Sequence, residues 1–141
     1  MSKFKDKHPQ EIADEEGLRM VVPSQHDLFI DIDEHEPESQ RARMLKGIET
    51  LTKNGAKVEI VCETESKGGN RHVYITAQVP GWDGHDPIVR CALQACLGSD
   101  PTKELLSMFR VWRHADRPPT TFFERRDDRP GIDFDADDIP W

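Results

Sequence analysis

Asp27-Leu28-Phe29-Ile30-Asp31-Ile32-Asp33 is the stretch on which the fold turns. Its apolar residues alternate with period two, so Leu28, Ile30 and Ile32 fall on one face of a strand and Phe29, Asp31 and Asp33 on the other. Working outward, Met44, Leu45, Ile48 and Leu51 recur at helical spacing between Ser39 and Asn54, and Asn54-Gly55 supplies a left-handed stop. Residues 56–65 form a second strand with Val58, Ile60 and Cys62 on one face, and Lys67-Gly68-Gly69-Asn70 is a turn. Residues 71–79 form a third strand with Val73, Ile75 and Ala77 inward and His72, Tyr74 and Thr76 outward. Asp86-Pro87 and Asp100-Pro101 each start a helix, Asp as cap and Pro at the first helical position. Ile88, Val89, Ala92, Leu93 and Cys96 make the apolar stripe of one, and Leu105, Leu106, Phe109 and Trp112 that of the other. After Pro118-Pro119 comes a short last strand, Thr120 to Glu124.

The order β-α-β-β-α(α)-β predicts an α+β, ferredoxin-like or RRM-like sandwich: a four-stranded antiparallel sheet with its helices on one face. Residues 1–20 are expected to be a polar arm, 21–126 the folded domain and 127–141 a disordered acidic C-terminal tail. In that arrangement Phe29, Asp31, Asp33, His72 and Tyr74 emerge on the open face, joined by Phe122 and Glu124 if the last strand pairs beside the first. Phe29, Tyr74 and Phe122 then offer a platform for unstacked bases, with Arg71, Arg125 and Arg126 for phosphates. The alternative is that these aromatics are buried under the N-terminal arm or a second copy.

The same face admits a catalytic reading. Asp31 and Asp33 project to one side about 6–7 Å apart, a spacing able to hold Mg²⁺ or Mn²⁺. Here Leu28-Phe29-Ile30-Asp31-Ile32-Asp33, the turn Ser66 to His72 and Phe123-Glu124 together resemble the palm of the archaeo-eukaryotic primase and primase-polymerase superfamily. The resemblance covers roughly residues 27–125, with a longer turn and Glu in place of the family's third Asp. It implies metal bound by Asp31, Asp33 and Glu124, and Ser66 and His72 on the incoming phosphate. Other chemistry is weakly signalled: His26, His35, His85 and His114 have no ligand spacing, and Gly68-Gly69 is not followed by the Lys-Ser/Thr of a phosphate loop.

The formal charge of -8 is unusual for a nucleic-acid binder, but half of it lies in residues 130–141, which hold four Asp and no base. Residues 109–129 hold six Arg against four acids, a basic edge or an ordinary mixed surface. The final run, Asp133-Phe134-Asp135-Ala136-Asp137-Asp138-Ile139-Pro140-Trp141, places solvated carboxylates before a short apolar plug. It resembles the C-terminal tip of bacterial single-stranded DNA-binding proteins, with Trp141 for the usual Phe. That implies docking onto replication, repair and recombination enzymes, and competition with DNA for the protein's own basic groove.

Cys62, Cys91 and Cys96 lack Cys-x-x-Cys spacing and are expected to be buried, reduced thiols. Without a signal-like start or about 18 consecutive apolar residues, a cytoplasmic protein with no membrane partner is expected. Together these features predict a phage or mobile-element protein of replication or recombination that binds single-stranded DNA and recruits host enzymes. A minimal metal-dependent primase-polymerase-like nucleotidyltransferase, or a decoy of the host tip, are the alternatives, and a homo-oligomer is compatible with each.

Overall fold

The computed structural model of the protein describes residues 8–33, 35, 37–66, 68–113 and 118–125. Its elements are α1 (Pro9–Glu16), β1 (Leu18–Val21), β2 (Asp27–Ile32), α2 (Pro37–Lys53), β3 (Lys57–Glu65), β4 (Arg71–Gln78), α3 (Pro87–Cys96), α4 (Pro101–Arg113) and β5 (Phe122–Arg125). From β2 onward this is the expected order. Asp86 caps α3 as its sequence demands, accepting hydrogen bonds from the Ile88 and Val89 N–H groups at 2.9 and 3.3 Å.

The sheet departs from expectation. Instead of four strands, β2, β4 and β3 form one antiparallel sheet in the order β2-β4-β3, while β5 pairs with β1 in a separate two-stranded ribbon. The outer edge of β2, where β5 was expected, is already satisfied by side chains and one loop amide. Gln94 accepts from the Phe29 N–H at 2.7 Å and Ser99 from the Asp31 N–H at 3.0 Å. Arg90 donates to the Asp27 carbonyl at 2.9 Å, Gln40 to the Asp31 carbonyl at 2.9 Å, and the Asp100 N–H to that same carbonyl at 3.2 Å. An edge so capped has no ladder to offer another strand. Glu104 holds the caps in place, accepting from Gln94 and Ser99 at 2.7 Å each. Burial pushes its carboxyl above the ordinary range, against the hydrogen bond from Ser99 and the nearby Lys103 charge.

This polar work explains why the apolar stripe of α4 and, Leu93 apart, much of that of α3 point elsewhere. In α3 the buried residues are Arg90, Cys91 and Gln94, and in α4 Glu104 and Ser107. Val89, Leu105, Leu106, Phe109 and Trp112 are exposed. Of the three thiols Cys91 is buried, Cys62 half-buried and Cys96 exposed, so the expectation of three buried cysteines holds for Cys91 alone.

One face of the sheet behaves as the sequence predicts. Leu28, Ile30, Ile32, Val73, Ile75 and Ala77 pack with Met44, Trp82 and Leu97, and Leu93, Ile48 and Leu51 close the layer. A bulge between Ile60 and Cys62 breaks the alternation of β3, leaving Ile60 exposed and turning Cys62 to the opposite face. That opposite face is covered rather than open. The β1–β5 ribbon lays Val21 and Phe122 onto Phe29 and Tyr74, a second core whose four members are 0–1% exposed. The outer side of the ribbon, Met20 with Val22 and the half-buried Phe123, packs on Ala13 of α1. Residues 9–21, expected within a polar arm and its border, are thus the cover of the sheet.

Gln94→Met keeps the side-chain length but removes the acceptor from the buried Phe29 N–H and a donor from Glu104. Loss of about 2–4 kcal/mol is expected, read as a fall in chemical-denaturation midpoint at unchanged m-value.

Candidate functional site

A cavity of about 430 Å³ opens where β2, the β3–β4 turn, β4, the start of α4 and β5 meet. Asp31, Ser66 and His72 line it together with Lys103, Arg110, Leu106, Thr121, Phe122 and Phe123. Three of the five residues expected to carry chemistry are therefore brought to one space. Ser66 is set by a tight turn, its N–H donating to the Asn70 carbonyl at 2.7 Å and its carbonyl accepting from the Gly69 N–H at 3.0 Å.

His72 is clamped from two directions. Its ring stacks on Phe122 at 3.8 Å and 6°, and its Nδ1 lies 2.5 Å from Glu124 Oε1. Because the carboxylate is the acceptor, Nδ1 carries the proton, and Nε2 is left 4.0 Å from Asp31 Oδ1. Glu124 is wholly buried and its remaining capacity is spent within the protein: Tyr74 O–H donates to Oε1 at 2.6 Å and Thr64 O–H to Oε2 at 2.8 Å. Burial alone would raise its carboxyl, but the hydrogen bond and charge of His72, with Tyr74 and Thr64, outweigh it and hold the group below the usual 4.5.

Asp31 stands between the Lys103 ammonium and the His72 ring. Its Oδ2 is 3.8 Å from Lys103 Nζ, and its buried Oδ1 has no hydrogen-bond partner. Lys103 also donates to the Thr121 carbonyl at 3.2 Å and sits 3.9 Å above the Phe122 ring. Burial pushes its ammonium below the ordinary 10.5, against the pull of Asp31 and Glu104.

The expected metal set of Asp31, Asp33 and Glu124 does not fit this geometry. Glu124 has both oxygens engaged behind His72. Asp33 lies beyond the end of β2, outside the cavity, and its carboxylate accepts from the His35 N–H at 2.9 Å. Among the described residues, no group of three or more His, Cys, Asp and Glu is placed to hold a metal ion.

The expected stacking platform is likewise closed: Phe29, Tyr74 and Phe122 are each 1% exposed and pack on one another at centroid distances of 4.9 to 5.5 Å. Arg71 is ion-paired with Glu63 and Glu65 at 3.5 and 3.7 Å, and Glu63 also pairs with Arg41. Arg125 is exposed at the end of β5, opposite Leu18. Arg126 and the tail residues Asp133, Phe134, Asp135, Asp137, Asp138, Ile139, Pro140 and Trp141 lie outside the described residues.

Lys103 was missed from the sequence, and Arg110 was read there only as one of the six arginines of a basic edge. A lysine in the first turn of a helix opposes the helix dipole, and that local misfit was the available signal at Lys103. Comparison with protein-family models, curated proteins and solved structures finds no match. Among the described residues no helix is long and apolar enough to cross a membrane.

Glu124→Gln should cost about 2–4 kcal/mol, because the neutral amide cannot accept from His72, Tyr74 and Thr64 together. A carboxyl depressed on folding contributes stability above its unfolded value near 4.5, and that contribution fades as pH falls through the lower folded value. The gap in melting temperature between wild type and variant should therefore be widest near neutrality and shrink in acid, as a pH series of thermal melts can establish.

Proposed function

We propose that the protein acts in single-stranded DNA metabolism. It holds a phosphate in the cavity beside Lys103 and Arg110, stacks bases on Phe109 and Trp112, and recruits host replication and repair enzymes through residues 133–141. The observation that carries this reading is the outer face of α4. Leu106 and Arg110 line the cavity, while Phe109 and Trp112 stand alongside at 37% and 63% exposure. Their rings meet edge to face at 5.7 Å, and the Arg113 guanidinium lies 5.1 Å over Phe109. Aromatic rings interleaved with arginines suit a strand whose bases are unstacked, since the rings accept any base and the cations neutralise the backbone. The large apolar exposure is otherwise unfavourable for a helix with so little core to cover.

The alternative is a minimal Mg²⁺- or Mn²⁺-dependent nucleotidyltransferase. It draws on Asp31, Ser66 and His72 sharing the cavity, and is weakened by the engaged carboxylates of Asp33 and Glu124. The decoy reading keeps the tail and dispenses with DNA binding. For the tail, resemblance to the single-stranded DNA-binding protein tip supports recruitment, the apolar plug anchoring and the aspartates steering toward a basic rim.

Binding of oligothymidine, followed by fluorescence anisotropy over a salt series, separates these readings. Phe109→Ala with Trp112→Ala should weaken binding about thirtyfold to ten-thousandfold and leave the salt slope unchanged, at roughly 1–3 kcal/mol for each of two stacked bases. Arg113→Ala should instead lower the slope by about one. If neither variant alters the titration, α4 is not the DNA surface.

Deleting Ile139 to Trp141 should abolish capture of purified host enzymes that bind the single-stranded DNA-binding protein tip while oligothymidine binding persists. Equal capture by full-length and shortened protein would remove the recruitment role.

A further inference from the structure

Resting on the reading of the cavity as the phosphate site, we infer that it takes a terminal phosphate without a divalent cation, the Lys103 ammonium standing where the palm resemblance would put a metal ion. Asp31 is the one carboxylate of the expected set that reaches the cavity, and it already faces a cation: Lys103 Nζ lies 3.8 Å from Oδ2. A divalent ion placed on Asp31 would sit within a few ångströms of that ammonium and be repelled by it. Lys103 is also not a loose side chain. It is tethered to the Thr121 carbonyl at 3.2 Å and rests on the Phe122 ring at 3.9 Å, both on the far wall of the cavity.

The same geometry suits an anion. An ammonium has three N–H donors, and the Thr121 carbonyl uses one. Lys103 stands in the first turn of the thirteen-residue α4, where the unpaired helical N–H groups add positive potential. Arg110, two turns further along, lines the cavity as well and adds a second positive charge there, its Nη1 donating to the Pro119 carbonyl at 3.5 Å. Opposite them is His72, whose Nδ1 proton is committed to Glu124, so that Nε2 meets a phosphate oxygen only when it carries a proton of its own. The shared chemistry is a phosphate monoester or polyphosphate end, borne by a free nucleotide or by a DNA terminus.

The two possibilities for the cation predict opposite signs for one substitution. If a metal ion bridges Asp31 and phosphate, Asp31→Asn destroys binding. If Lys103 is the cation, Asp31 competes with phosphate for it, and Asp31→Asn tightens binding.

Calorimetric titration of the full chain with dATP, and with 5′-phosphorylated and 5′-hydroxyl oligothymidine, tests this in EDTA and again with Mn²⁺. Expected are affinities for dATP or for the phosphorylated strand within twofold in the two buffers. Asp31→Asn should tighten binding about two- to tenfold. Lys103→Gln, shown to be folded by circular dichroism, should weaken it at least tenfold, and Lys103→Arg should retain most of it. Binding that appears only with Mn²⁺, or is lost in Asp31→Asn, overturns the inference while leaving the cavity as the phosphate site. Absence of binding by dATP and by both oligonucleotides in either buffer overturns that underlying reading as well.

Discussion

The outer edge of β2 is the constraint on which the rest of the structure depends. A strand at the border of a sheet leaves alternate N–H and C=O groups facing outward, and each must be hydrogen-bonded if buried. Here Gln94, Ser99, Arg90 and Gln40 take those groups one by one, and Glu104 aligns two of the four. Because those caps come from α2, α3 and the turn after α3, these parts are fixed against the strand by polar contacts as well as by apolar packing. The Gln40 amide also donates to the Gly98 carbonyl at 2.7 Å, and Gly98 adopts φ of 90°, where a side chain would run into the Gln40 carbonyl oxygen. The turn between α3 and α4 is thereby set, and with it the position of Lys103 at the cavity.

Closing the β2 edge also decides where β5 goes. Denied that place, it pairs with β1 as a ribbon across the sheet, and the ribbon carries the two residues that organise the site. Phe122 is the shared neighbour of Phe29, Tyr74 and His72, and Lys103 rests on its ring. Glu124 holds the far side of His72. The site is therefore a buried acid–histidine pair with its free nitrogen toward the cavity, instead of three carboxylates converging in the open.

Much of the path of the chain was legible in the sequence. The alternation of residues 27–32, the Asp-Pro helix starts and the Gly-Gly turn each have a local physical cause and lie where expected. The order β2-β4-β3 is the one the ferredoxin-like expectation gives, with the first and third expected strands adjacent. The partner of the last strand was not legible, because it depends on α3 using Arg90 and Gln94 as buried residues. Hydrophobic periodicity assigns such positions to solvent, and so it put Leu105, Leu106, Phe109 and Trp112 of α4 inward when they are exposed. Leu18-Arg19-Met20-Val21 was too short a run beside polar sequence to declare itself a strand, yet it supplies half of the cover over the aromatics. At the site, Asp31 was singled out by strand alternation and Ser66 and His72 by the palm resemblance, and the three line one cavity, whereas Asp33 lies outside it because β2 ends one residue before it. Glu124 was correctly placed near His72, but its partners convert it from a ligand donor into a support.

The β1–β5 ribbon pairs Val21 with Phe122, joining segments about a hundred positions apart in the chain. Contacts so distant in sequence form only after most of the polymer is available. During ribosomal synthesis, which runs from the amino end, β2, β3 and β4 emerge well before the strand that covers Phe29 and braces His72. A nascent or prematurely terminated product ending before residue 122 therefore leaves its aromatic layer bare and its histidine unaligned. The cavity is closed only once residues 122–125 have left the ribosome, well after the strands on which it is built.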